Sequence, residues 1–107
     1  MIFQRLFKNI PKGTDEIIHI EDIRIPPCFK KTGCKYFKIK RSMDYYLKHK
    51  RLDKPITVIA ETNEKGFPNK LLLVDQYSRY LACRLLHIDR IPVRYIDIDT
   101  YLNKQNM

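Results

Sequence analysis

The run Leu71-Leu72-Leu73-Val74-Asp75-Gln76-Tyr77-Ser78-Arg79-Tyr80-Leu81-Ala82 decides how this chain is read. Lys70 to Val74 is a continuous apolar stretch, as expected of a strand covered on both faces. It passes without a linker into a helix predicted from about Gln76 to Leu86, with Ala82, Leu85 and Leu86 facing the core beside Tyr77 or Leu81. The first amides of a helix have no partner within it, and the helix dipole favours an anion there. Ser78 adds a hydroxyl, and Arg79 adds a planar, permanent cation suited to phosphate. Asp75 is placed to cap the helix start. The same residues also describe an ordinary capped helix with a solvated arginine, so the local pattern leaves both readings open.

Outward from this run, Pro55-Ile56-Thr57-Val58-Ile59-Ala60 reads as a strand with proline at its first position, where the missing N–H is tolerated. Asn63-Glu64-Lys65-Gly66 supplies turn chemistry. Beyond the helix, His87-Ile88-Asp89 is a turn, Ile91 to Ile98 a last strand, and residues 99–104 a short helix. Upstream, Glu16 to Ile25 is rich in isoleucine and reads as a strand interrupted near Glu21-Asp22. Pro26-Pro27 stops it. Residues 35–50 form a helix whose apolar stripe is Tyr36, Ile39, Met43, Tyr46 and Leu47, with Phe37 at its edge. Tyr45 sits off the stripe and is expected to be exposed. Residues 1–15 read as an arm and 16–107 as one domain. Strand, helix, strand, strand, helix, strand defines an α+β fold with a small mixed sheet and two main helices.

The chain has 107 residues, enough for one modest core, and 44% apolar with 31% charged residues excludes a disordered class. No segment approaches the roughly 20 apolar residues of a membrane helix. Met1 to Arg5 lacks the apolar run of a secretion signal, so a cytoplasmic location is expected. Three cysteines, Cys28, Cys34 and Cys83, argue against a disulfide framework. Neither a C-x-x-C pair nor H-x-x-x-H accompanies them, so no metal site is expected. His19, His49 and His87 show no catalytic signature. Asp97 and Asp99 alternate near a strand end and could share a face for Mg²⁺, although a solvated strand terminus explains them as well.

Net charge is +9, and it is uneven. Lys30 to Lys54 holds ten lysines and arginines against Asp44 and Asp53 alone, a local +8. Such density favours a polyanion over a merely solvated face. Lys35, Lys38, Lys40, Arg41 and Lys48 are the candidate nucleic-acid contacts.

The ordered set of these pieces resembles the N-terminal domain of ParB and the wider ParB/sulfiredoxin superfamily. Leu73 to Ala82, followed by Leu86-His87-Ile88-Asp89-Arg90-Ile91-Pro92-Val93, is similar to the family's strand, Gly-x-x-Arg turn, helix and "PV" strand. Arg41-Ser42-Met43 resembles a Ser-Ile pair on the facing helix, and Pro55-Ile56-Thr57-Val58 resembles its "PI-x-V" strand. The spacing agrees over about residues 17–97. The resemblance implies a domain that binds CTP or ATP, with Mg²⁺, through Gln76, Tyr77, Ser78 and Arg79, with Asp75 at the helix start and Ser42 facing them. It also implies service to plasmid, phage or other mobile DNA. A weak nuclease or nucleotide hydrolase, and a scaffold that has lost its ligand, are the competing readings.

Three departures qualify the likeness. Gln76 stands where the family has glycine, Ser78 where ParB proteins carry a first arginine, and Tyr77 where sulfiredoxin carries its cysteine. A phenol cannot supply a thiolate nucleophile, so sulfiredoxin chemistry is not expected. Cys83, further along the helix, is expected in the core. Full ParB proteins continue into a helix-turn-helix domain and a dimerisation region; the sequence given ends before these, so centromere binding and clamp formation are not expected of it.

Overall fold

The isoleucine-rich segment after residue 15 forms two short strands rather than one. In the computed structural model, which describes residues 10–62, 68–97, 99, 100 and 102, β1 (Glu16–His19) gives way to a 3-10 turn at Ile20–Asp22 and then to β2 (Ile23–Arg24). Helix α1 (Pro27–Thr32) and helix α2 (Tyr36–His49) follow. Strands β3 (Ile56–Thr62) and β4 (Pro68–Asp75), helix α3 (Tyr77–Leu85) and strand β5 (Arg90–Tyr95) complete the domain. The strand order is β1-β5-β3-β4-β2. β1 runs antiparallel to β5 and β3 antiparallel to β4, while β5 lies parallel to β3 and β2 parallel to β4.

This order puts β1 and β2 at opposite edges, although only the 3-10 turn separates them. A flat sheet of five strands about 4.8 Å apart would be roughly 19 Å wide. A 3-10 turn advances about 2 Å per residue, so His19 and Ile23 end up roughly 8 Å apart. The sheet must therefore curl until its edges approach. The Ile20 N–H fixes the turn by donating to the Asp89 carbonyl at 2.8 Å. The inside of the curl is filled by one cluster that includes Ile18, Ile20, Ile23, Ile56, Val58 and Leu73. Ile91 and Val93 of β5 join it, and Tyr80 and Cys83 of α3 close one side. Leu52, from the loop after α2, enters the same cluster.

Several sequence expectations are corrected. Pro26-Pro27 does not simply end a strand: Pro27 opens α1, where its fixed φ suits a first helical position. Nothing in α1 is fully buried, so no apolar period advertised it. On α2 the inward side is Ile39 and Ser42 with Tyr46 half-buried, whereas Tyr36 and Leu47 are 68% and 54% exposed. Tyr45 is half-buried and its ring lies tilted against His49, with ring centroids 4.2 Å apart. On α3 the buried residues are Tyr80, Ala82 and Cys83, while Leu85 is exposed. β4 is not covered on both faces: in its apolar run only Leu73 is buried, and Leu71, Leu72 and Val74 are half-buried. β5 ends at Tyr95, so Asp97 and Asp99 do not alternate on a strand. Instead the Asp97 carboxylate accepts the Thr100 N–H at 2.6 Å, at the start of a helical turn containing Asp99 and Thr100. That bond holds its pKa below the usual carboxylate range.

Residues 11–15 are fastened to the sheet. Pro11 is buried and its carbonyl accepts the Thr14 hydroxyl at 2.7 Å. The Asp15 N–H donates to the Val93 carbonyl at 2.9 Å, and its carboxylate accepts the Tyr95 N–H at 3.0 Å. The Tyr95 hydroxyl donates to Glu16. Residues 1–9, the Asn63–Gly66 turn, Ile98 and residues 103 and 104 lie outside the described residues.

Substituting Ile20→Ala should cost about 2–5 kcal/mol in urea unfolding, because it opens a cavity where the sheet edges meet. Leu85→Ala, at a position the sequence assigned to the core, should stay within about 0.5 kcal/mol. Equal losses at the two positions would contradict the curled core.

Candidate functional site

The strand-to-helix corner is built by Asp75 and Gln76. Asp75 ends β4, and Gln76 adopts a left-handed conformation, φ 72° and ψ 38°, that turns the chain directly into α3. The fold meets here the requirement that glycine usually satisfies, since a side chain at this φ costs about 1 kcal/mol or more. The Asp75 carboxylate accepts the Gln76 N–H at 2.8 Å, one residue before the helix, and no side chain caps α3. Asp75 is therefore a corner brace rather than the expected helix cap. The Gln76 carbonyl accepts both the Arg79 and the Tyr80 N–H, each at 3.1 Å. Among the described residues the Tyr77 and Ser78 amides have no acceptor.

Arg79 does not stand free, as the sequence pattern suggests. Its Nε and Nη2 each donate to a different carboxylate oxygen of Asp53 at 2.7 Å, and its Nη1 donates to the Gln76 side-chain oxygen. Three of the five N–H donors of a guanidinium are thus engaged. Asp53 reaches this place because Lys50 closes α2 with a left-handed φ of 60°, and Leu52, only 3% exposed, plugs the loop into the core. The Arg79 hydrogen bonds hold the Asp53 carboxyl below its ordinary range. Whatever stability the pair adds is fully present above that ordinary range and is lost as pH falls through the lowered folded value.

The other candidate residues divide into inward and outward sets. The Tyr77 ring packs against Phe29 of α1, centroids 5.3 Å apart, and stacks on Tyr80 at 6.2 Å. Tyr77 thus offers its amide to the corner while its ring serves packing. Ser78 is half-buried in the first turn of α3. Ser42 is buried on α2, which packs against α3, and among the described residues no hydrogen bond joins it to the turn. Lys35, Lys38, Lys40, Arg41 and Lys48 are all exposed on α2 or at its start. Asp53 is the site residue that sequence reasoning missed. Its only signal was being one of two acids in a strongly basic window.

Cys28 is exposed, Cys34 half-buried and Cys83 fully buried, and burial pushes the Cys83 thiol up to about 12. Among the described residues no three histidine, cysteine or acidic side chains gather as a metal site, and no helix is long and apolar enough to cross a membrane.

No family model matches the sequence, and no curated protein matches it either. Solved structures do match its fold. Sulfiredoxin from Arabidopsis thaliana aligns with a TM-score of 0.61 and 22% identity, over 81% of this chain and 97% of that one. A free serine kinase variant in complex with AMP aligns with a TM-score of 0.62 and 15% identity, over 82% of this chain and 36% of the other. A C-terminally truncated ParB from Caulobacter crescentus, complexed with CTP-gamma-S, gives 0.59 and 13%, over 82% and 48%. The chain thus spans nearly all of the sulfiredoxin but less than half of the kinase and ParB chains. Its α+β architecture, a curled five-stranded sheet with three helices, is the fold that these solved structures share.

Two measurements check the corner and the core. Gln76→Gly should stay within about 1 kcal/mol of the parent in urea, since relief of the left-handed strain offsets the lost bond to Arg79. Gln76→Val should be less stable than Gln76→Gly by at least about 1 kcal/mol, because a β-branched side chain resists this φ. The reverse order would refute the left-handed turn. With a thiol-reactive disulfide reagent at pH 8, Cys28 should react first and Cys83 only on unfolding; rapid labelling of Cys83 in the native protein would contradict its burial.

Proposed function

We propose that this chain is a cytoplasmic, ParB-like module that binds a nucleotide through its phosphates at the start of α3. The observation that carries this reading is the abrupt left-handed turn at Gln76, beside which, among the described residues, the Tyr77 and Ser78 amides have no acceptors and the Arg79 guanidinium lies close by. Amides, dipole and cation at one corner suit a phosphate. The fold supports it, since relatives in shape are recorded with AMP and CTP-gamma-S. CTP or ATP, carrying Mg²⁺ on its phosphates, is the ligand class, and maintenance of plasmid, phage or mobile-element DNA is the setting in which such a module would serve.

The Asp53 carboxylate opposes the ligand at Arg79 by its charge. A surface ion pair contributes about 1 kcal/mol at most. A hydrogen bond from a charged donor to phosphate is worth about 1.5–3 kcal/mol. The ligand therefore prevails, at a cost of about fivefold in affinity.

Calorimetric titration at low salt with CTP, ATP and AMP tests this. Arg79→Ala should weaken binding about tenfold or more, and Asp53→Ala should tighten it about fivefold. If no nucleotide binds even the Asp53→Ala variant, and none raises its melting temperature, the corner is not a nucleotide site. The fold would then serve as an interaction scaffold.

A further inference from the structure

The outward surface formed by α1 and the first half of α2 matches a ligand different from a mononucleotide. From Ile23 to Met43 the sequence contains no aspartate or glutamate. Within it, Lys30, Lys31, Lys35, Lys38, Lys40 and Arg41 are all exposed. Tyr36 and Phe37, 68% and 57% exposed, lie among these cations. Buried Ile39 and Ser42, with half-buried Tyr46, define the inward direction of α2. At 100° per residue Phe37 projects almost opposite to them, with Lys40 and Arg41 one turn further along the same outward side. The Arg41 guanidinium carbon lies over the Phe37 ring, 5.9 Å from its centroid, so cation and ring form one unit at the surface, with the second ring face left for a base. Asp44, the first acid after Asp22, follows on that face beyond Lys40 and Arg41.

Scattered exposed apolar residues are ordinary on a protein surface. Two exposed aromatics, neighbours in sequence, within an acid-free run that carries six exposed cations are a narrower pattern. A duplex needs only the cations, because its bases are stacked away. Unpaired bases present their flat faces, which rings accept, while the backbone phosphates meet lysine and arginine. We propose that this surface binds single-stranded nucleic acid, with Phe37 and Tyr36 stacking bases and the surrounding cations neutralising phosphates. The site does not depend on the corner at Arg79.

Fluorescence anisotropy with a labelled oligothymidylate of about 15 nucleotides tests this on the full chain at low salt. The wild-type protein should bind, and the logarithm of affinity should fall with the logarithm of salt at about −0.7 per neutralised phosphate. Tyr36→Ala and Phe37→Ala should each cost about fivefold or more, with an unchanged salt slope. Lys40→Ala combined with Arg41→Ala should flatten that slope by about 1.4. Arg79→Ala should leave oligonucleotide affinity unchanged, which separates this surface from the nucleotide reading. All substituted positions here except Arg79 are exposed, and unchanged melting temperatures would show that those variants fold. Wild-type affinity in the two aromatic variants, equal or tighter binding of a duplex of the same length, or binding to anionic vesicles in place of the oligonucleotide would each overturn the proposal.

Discussion

Ile20, Glu21 and Asp22 carry the chain from one edge of a five-stranded sheet to the other, and the short reach of a 3-10 turn obliges the sheet to curl. The curl is what gives so small a chain a core. Fully buried Ile56, Val58, Ile91 and Val93 point into one enclosed space instead of requiring a helical layer over the whole sheet. The Ile20 N–H bond to the Asp89 carbonyl ties this turn to the loop that leads into β5. With the barrel-like wall set, α3 has one place to lie, closing the side through Tyr80 and Cys83. The start of α3 is thereby fixed at the end of β4. The left-handed turn at Gln76 is the shortest way to join them, and its strain is borne by the surrounding packing.

The same logic explains why Asp53 reaches Arg79 from 26 residues away. Neither residue carries a signal for the other in the sequence. Leu52 is the link: buried in the core, it leaves its neighbour only a short distance from the first turn of α3. A hydrophobic contact thus sets the geometry of an electrostatic one. Burial fixes where a loop goes, and charge then decides which functional group it presents.

The sequence disclosed the parts whose signals are local. Proline just before a strand and the apolar run at Leu71–Val74 mark β3 and β4, and the ordered resemblance pointed to the α+β fold that the solved structures share. Elements that depend on distant partners were not legible. Helix α1 buries nothing completely, so it has no period to detect. The inward face of α2 includes Ser42, a polar residue that hydrophobic counting passes over, while Tyr36 and Leu47 look like core and face water. On α3 the expected Leu85 is exposed and Cys83 is buried, because the helix is rotated to suit the curled sheet rather than its own leucines. At the candidate site the corner residues were visible as a run from Asp75 to Arg79. The carboxylate that faces Arg79 was not, since pairing across a fold leaves no mark on either segment alone.

Asp53 opposes an incoming phosphate more by charge than by occupying its place. Its two oxygens take Nε and Nη2 of Arg79, and Gln76 takes one N–H of Nη1. Among the described residues, one N–H on each terminal nitrogen remains for another acceptor. A phosphate can therefore approach Arg79 while the carboxylate stays, but it meets a guanidinium whose charge is already balanced. Electrostatic opposition of this kind weakens as salt screens it, within a Debye length of about 10 Å at 0.1 M. Steric exclusion would not. The penalty that Asp53 imposes on a nucleotide is accordingly largest at low ionic strength, where the attraction of the surrounding lysines is also strongest. The two terms oppose each other at the corner, but on the exposed face of α1 and α2 no carboxylate stands among the cations until Asp44.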